Sequence, residues 1–367
     1  MLVFAIFVGM NTSQDSTDYL KGRGAQYNPH NRFRQQEYVQ EHFEGLDEPL
    51  LANDATEYLP EFPKKIVNKV DSPDIPMPYS LNPYQGCEHG CIYCYARNTH
   101  QYWGWSAGLD FERKVIVKEN APELLAQTLQ KRNWKPGPIM LSGNTDCYQP
   151  IERQLKLTRR ILEVLLEYRH PVGLITKNSL ILRDLDLLQE LAALRLVRVA
   201  ISITTLDEKL RLAMEPRTAT ARQRLKAIGK LSAVGVPVTV MVAPIIPGLN
   251  SHEIVQIMQA AADEGARSAG FTMVRLNGPV GDVFTDWIRT NMPDRAEKVL
   301  SQIAAMHGGK MSDNRFGFRM RGEGPQAVAL RDLFRASRNR IFAGRTAPEF
   351  DLTVFSPPDP NGQLSLF

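Results

Sequence analysis

Cys87, Cys91 and Cys94 lie within one eight-residue span of the run Gly86-Cys87-Glu88-His89-Gly90-Cys91-Ile92-Tyr93-Cys94-Tyr95. Thiolates are soft metal ligands, and three in one short loop can grip one face of a compact metal centre. Gly86 and Gly90 supply the backbone freedom such a wrap demands. A [4Fe-4S] cube takes four ligands, usually cysteines, so three leave one iron for a ligand from outside the protein. The same thiolates with His89 or His100 could instead form a Cys3His tetrahedron around zinc. The loop alone leaves both open. Four cysteines in 367 residues are too few for a disulfide scaffold, and their clustering points to metal chemistry in a reducing, cytoplasmic setting.

What must position this loop is a series of short apolar runs alternating with segments of helical period from about residue 79 onward. The predicted strands are Tyr79–Tyr84, Pro138–Ser142, Val172–Thr176, Leu196–Ile203, Val238–Ala243 and Ala269–Val274. Helices are predicted over 121–132, 154–169, 181–194, 218–234 and 251–265. In the helix over 154–169, Leu155, Ile161, Leu162, Leu165 and Leu166 form an apolar stripe. Gly235 stands where a C-cap glycine belongs, and Pro237 leads into the next strand. Tandem β-α units imply right-handed crossovers and a parallel sheet, barrel-like or doubly wound, so the fold class is α/β. In both architectures chemistry sits at the carboxyl ends of strands. The cysteine loop, Thr145-Asp146, Thr176-Lys177 and Ser202–Thr205 all fall at or just past such ends and are expected to share one face.

The spacing C-x3-C-x2-C, with Tyr93 directly before the last cysteine, resembles the signature of the radical SAM superfamily. The resemblance implies a partial (β/α)6 TIM-like barrel, a [4Fe-4S] cluster on Cys87, Cys91 and Cys94, and S-adenosyl-L-methionine (SAM) chelated by the open iron. It further implies an external electron donor and reductive cleavage of SAM to a 5′-deoxyadenosyl radical that abstracts a substrate hydrogen. The protein's share is to position the cofactor and exclude competing reactions.

From Ser142 to Glu152 the chain is similar to the strand-two motif T-D-x-Y-Q-P-x-E of the spore photoproduct lyase-like branch. Thr145, Asp146, Tyr148, Gln149, Pro150 and Glu152 carry the match. In that branch the Thr/Ser-Asp pair lies beside the methionine end of SAM, where a carboxylate suits an ammonium. From the residues alone, the pair could instead turn the chain and cap the next helix. By the same resemblance Tyr93, Lys177, Ser202 and Arg217 are cofactor contacts, with the Lys177 ammonium on the SAM carboxylate and Ser202 on the ribose or methionine. Pro244–Leu249 is then the segment near the adenine. Thr204, one strand step beyond Ser202, has an equal claim. Cys147 could give a hydrogen atom to a substrate radical. The branch places its donor cysteine a few residues earlier, however, and a buried free cysteine is often only a small hydrophobe.

Around a core of residues 77–300, residues 1–76 read as a polar N-terminal arm. Residues 301–355 form a basic C-terminal extension, and 356–367 a flexible tail ending in Gln363-Leu364-Ser365-Leu366-Phe367. Met1–Val8 is apolar, but it lacks a basic flank and is too short to span a bilayer. A start at Met10 and no membrane association are expected. Arginines 315, 319, 321, 331, 335, 338, 340 and 345 make a phosphate-tracking footprint, with Arg331, Arg335 and Arg338 on one helical face of Val328–Phe342. The plainer reading is a solvated face, and a net charge of +4 neither requires nor excludes a polyanion. The tail resembles the motif that docks bacterial replication and repair proteins on the sliding clamp; docking on its own domain is the competing reading. The expected function is radical SAM chemistry on nucleic acid, of the lyase and DNA-repair kind. The alternatives are radical modification of a protein, peptide or small molecule, and a non-catalytic zinc-dependent nucleic-acid binder.

Overall fold

The computed structural model describes residues 19–33 and 55–358. The readings of Met1–Val8, Met10 and Gln363–Phe367 lie outside the described residues. In chain order the strands are β1 (Glu57–Pro60), β2 (Val67–Lys69), β3 (Tyr79–Leu81), β4 (Tyr84–Gln85), β5 (Lys114–Val117), β6 (Ile139–Leu141), β7 (Val172–Thr176), β8 (Val197–Ser202), β9 (Val238–Ile245) and β10 (Ser268–Met273). The helices are α1 (Leu109–Arg113), α2 (Ala121–Leu129), α3 (Glu152–Leu155), α4 (Leu157–Glu167), α5 (Leu185–Ala193), α6 (Glu208–Met214), α7 (Ala221–Ala233), α8 (Ile254–Asp263), α9 (Pro279–Asn291), α10 (Pro293–Ala305) and α11 (Gly324–Ile341).

The main sheet has the order β10-β9-β8-β7-β6-β3-β2, with β2 antiparallel and the other strands parallel. It is an open α/β barrel: β10 and β2 are its edges. Alternation along the strands sorts its two faces. Val172, Leu174, Val197, Val199, Val238 and Val240 are buried in one core with Ile161, Leu165, Leu188, Leu191, Ile228 and Ile257 of the surrounding helices. Met140, Ile175, Ala200 and Met241 point the other way and are half-buried, lining a concave face that the helices leave uncovered. Ser202, in register with Met241, shares that face.

Several local expectations are corrected. The predicted strand Tyr79–Tyr84 divides at Asn82-Pro83, where proline cannot continue the ladder. Its second part, β4, joins a three-stranded sheet of order β1-β5-β4. The helix expected over 154–169 breaks at Lys156, which has φ 51°. Glu152 turns inward there to accept from the Tyr84 hydroxyl, the Thr158 amide and Arg183. Leu155 is consequently exposed, while Leu157 and Ile161 take the buried stripe. Helix α6, capped by Asp207 accepting from the Lys209 and Leu210 amides, was not anticipated.

The arginine-rich C-terminal element is not one surface. On α11 the buried Ala327 and Phe334 face the core. Arg331 donates to Gly322 O at 3.0 Å, and Arg335 pairs with Asp332 at 2.9 Å. Arg345 caps the carboxyl end of α8 through Ala262 O and Ala266 O, as a cation suits those orphan carbonyls. Residues beyond it cross the amino ends of the strands: Arg267 donates to Thr346 O, Arg198 to Pro348 O, and Ser356 N to Tyr168 O. Among the described residues no helix is long and apolar enough to cross a membrane.

Candidate active site

The cysteine loop follows β4 at the carboxyl end of the sheet. Gly86 and Gly90 both have positive φ, 86° and 68°, which glycine adopts without the steric cost of a Cβ. A Cβ at Gly86 would also stand 2.6 Å from Lys114 O. Cys87 and Cys91 are buried and Cys94 is half-buried. Burial raises all three thiols above their ordinary value; the Asp146 carboxylate adds to the effect at Cys87 and Glu215 at Cys91, while Arg97 opposes it at Cys94. Buried thiols held this way become thiolates against metal cations.

Three thiols on one loop are a donor set that fits a [4Fe-4S] cluster with one iron left open. Of the histidines proposed for a zinc tetrahedron, His89 is engaged within the site, whereas neither ring nitrogen of His100 has a hydrogen-bond partner among the described residues. His89 Nδ1 lies 3.4 Å from Asp146 Oδ2, and its Nε2 3.3 Å from Asn178 Nδ2. His100 packs between Trp105 and Phe111, and burial lowers it to about 4.

The polar residues of the strand-two motif each lock something in place. Thr145 is buried and its hydroxyl donates to Tyr84 O at 2.6 Å, pinning β4. Asp146 accepts from the Thr176 hydroxyl at 2.7 Å, the Lys177 amide at 2.8 Å and the Tyr148 amide at 2.9 Å. It therefore ties β6 to the end of β7. Tyr148 donates to Asp184 at 3.1 Å. Gln149 clamps the cysteine loop by accepting from Glu88 N at 3.0 Å and donating to Gly86 O at 3.3 Å. The Lys177 ammonium lies 5.9 Å above the Tyr93 ring and makes no hydrogen bond to another described residue.

Cys147 lies in the core shared by the strands and helices. It is fully buried with Tyr84, Tyr148 and Ile151, and Ser142 Oγ and Thr158 Oγ1 engage its backbone at 2.6 Å each. This burial is what a small hydrophobe shows, and a hydrogen-donor role would need a substrate to reach the thiol. Ser202 reaches the concave face without a hydrogen bond from its hydroxyl to another described residue. Thr204 is the better-connected residue: its hydroxyl donates to Glu215 at 2.6 Å. Arg217 donates to Gly22 O at 3.0 Å and stands 3.5 Å from Glu88, so it bolts the N-terminal segment to the cysteine loop.

Glu215 is the hub that sequence reasoning missed. The resemblance pointed to Arg217, whereas the buried Glu215 carboxylate receives Tyr93, Thr204 and Arg224. Burial alone would raise it, but Arg224 and then Lys177 hold it at about 2, below its ordinary 4.5. A depressed carboxylate contributes stability above 4.5 that is lost as pH falls toward 2. We expect Glu215→Gln to remove that part of the acid-induced loss, read from urea unfolding as a function of pH. Parallel profiles for variant and wild type would refute the assignment.

A second missed feature lies beneath the loop. Arg97, fully buried, donates to Cys91 O at 2.9 Å, to Ala107 O and Gly108 O, and to Glu112. Glu112 also accepts from the Gly24 and Ala25 amides at 3.0 and 2.8 Å. Gly24 packs so closely on Gly90 that a Cβ there would stand 1.7 Å from Gly90 O. Part of the segment expected to be a loose arm is thus a wedge under the cysteine loop.

Comparison with known proteins agrees with this geometry. Residues 81–261 match the model of the Radical SAM superfamily. An uncharacterized protein of Mycobacterium tuberculosis is 34% identical over 234 residues, covering 63% of this chain and 69% of its own. An uncharacterized protein of Methanocaldococcus jannaschii is 32% identical over 195 residues, covering 52% and 69%. Spore photoproduct lyase complexed with dinucleoside spore photoproduct superposes with a TM-score of 0.58 at 18% identity, over 78% of this chain and 80% of that one, which is a likeness of fold. Family match, fold and cysteine loop converge on one conclusion: the chain belongs to the radical SAM superfamily.

Proposed function

We propose that this radical SAM enzyme holds its [4Fe-4S] cluster on Cys87, Cys91 and Cys94 and acts on nucleic acid. The cluster and SAM, when bound, supply one-electron cleavage chemistry. The chain's own residues supply the rest. The three thiols grip from one side, with Gln149, Arg97 and Arg217 fixing the loop that carries them. The Lys177 ammonium, held over Tyr93 at the rim of the concave face, offers a point charge for a carboxylate. Asp146 holds the Lys177 backbone in place. Tyr93 and Thr204, locked by Glu215, keep the wall beside Cys91 rigid. Met140, Ile175, Ala200 and Met241 offer an apolar floor that excludes water.

The observation that carries this reading is the convergence of the buried cysteine loop, Lys177 and the uncovered concave sheet face at one end of an open barrel. The nucleic-acid part is supported by the basic, aromatic surface described below; modification of a protein or peptide is the rival. Protein reconstituted anaerobically with iron and sulfide, then given dithionite and SAM, should form 5′-deoxyadenosine. Damaged oligonucleotides should raise the yield more than peptides do. Stimulation by peptides alone would overturn the nucleic-acid part, and absence of iron would overturn all of it.

A further inference from the structure

We propose that the loop 310–321, with Arg275, is a docking platform for single-stranded nucleic acid at the open side of the barrel. The inference rests on the nucleic-acid reading above and gives it a place. Both arms of the loop flank the chain as it leaves β10: Met273 N donates to Met320 O at 2.9 Å, and Leu276 N to Met311 O at 3.1 Å. Its tip is fastened to the connection between β2 and β3, where Gly317 N and Arg319 donate to Asp74 at 2.8 and 2.6 Å. The loop therefore spans the gap between the two edges of the open sheet.

The outer surface of the loop joins rings to cations. Phe316 and Phe318 are 54% and 45% exposed, an unfavourable position for large apolar rings. Arg319 lies 4.5 Å from the Phe316 centroid and Arg315 4.6 Å from that of Phe318. Asp74 and Asp313 hold these two arginines in place. Arg321 and Lys310 are exposed, and their side chains make no hydrogen bond to another described residue.

Arg275 links the platform to the chemistry. Its guanidinium sits 4.7 Å from the ring of Tyr95, the residue after Cys94, and makes no hydrogen bond to another described residue. Aromatic faces receive bases and guanidinium groups receive phosphates. An acidic peptide would use the cations and leave the rings idle; an apolar partner would do the reverse. A polynucleotide strand presents a planar ring and a phosphate at every step, and matches both.

The test uses the anaerobically reconstituted holoprotein and a short fluorescein-labelled single-stranded DNA of mixed sequence, read by anisotropy. The strand should bind more tightly than its duplex or an acidic peptide. Phe316→Ala combined with Phe318→Ala should weaken it by about tenfold or more. Lys310→Gln combined with Arg321→Gln should lower the salt slope by about 0.7 per charge removed. Iron content and thermal unfolding report whether each variant is folded. A strand that fails to bind at low salt, binds all variants equally, or loses to the peptide overturns the proposal. A wild-type protein that binds the strand on this loop yet forms no 5′-deoxyadenosine would leave the platform standing and sink the catalytic reading.

Discussion

Cys91→Ala will leave the reconstituted protein colourless, with iron near background and no measurable 5′-deoxyadenosine, while the chain stays folded. Three thiolates are the fewest that hold a cube with one iron free, and the loop has no spare donor to replace one. His89 is held between Asp146 and Asn178, and Cys147 is fully buried with Tyr84 and Tyr148. Cys87→Ala and Cys94→Ala should behave alike. Cys147→Ala should keep its iron, because its thiol packs with Tyr84 and Tyr148. Iron and sulfide analysis with visible absorption decides the matter; a Cys91→Ala protein that loads like wild type would refute the ligand assignment.

Glu112→Ala will be the most destabilising single change near the site that touches no cluster ligand. Arg97 and Glu112 are both fully buried, so removing the carboxylate strands a guanidinium in the interior. Breaking one partner of such a pair costs about 3–5 kcal/mol. The Gly24 and Ala25 amides lose their acceptor as well, and a buried orphan donor costs about 1–3 kcal/mol. The wedge would then release Gly90, and the cysteine loop would be held less firmly. Urea unfolding of the two proteins measures the cost, and the rate of iron uptake measures the loosened loop. Because two well-packed apolar residues can replace a buried pair at little cost, Arg97→Met with Glu112→Met should recover part of the stability. A loss below about 1 kcal/mol for Glu112→Ala would show that the network carries little.

How far the chain could be read from its letters differed by element. Strand β7 appears with the boundaries that its β-branched run predicts, and β6, β8, β9 and β10 deviate only at their ends. The short apolar run of a buried strand is a local signal, so it survives without knowledge of partners. The helix over 154–169 misled because its break is imposed from outside: Tyr84 and Arg183, distant in sequence, pull Glu152 inward. The short β1, β4 and β5 escaped notice for a similar reason. Strands this brief are stabilised by pairing rather than by pattern.

What the sequence by itself determined is the chemistry available: three thiols at a spacing suited to a cluster, an α/β alternation that aims them at strand ends, and an ammonium at Lys177. These are properties of neighbours along the chain, and local spacing carries them. Only the tertiary structure decided which polar residues serve as the frame. It made Thr145 and Asp146 brackets between strands, moved the hub from Arg217 to Glu215, sank Cys147 into the core, and drew Arg97, Glu112 and Gly24 together beneath the loop. The physical reason is that a buried polar group must find its partner wherever the fold supplies one. That partner is set by three-dimensional closure, which no short window of residues contains.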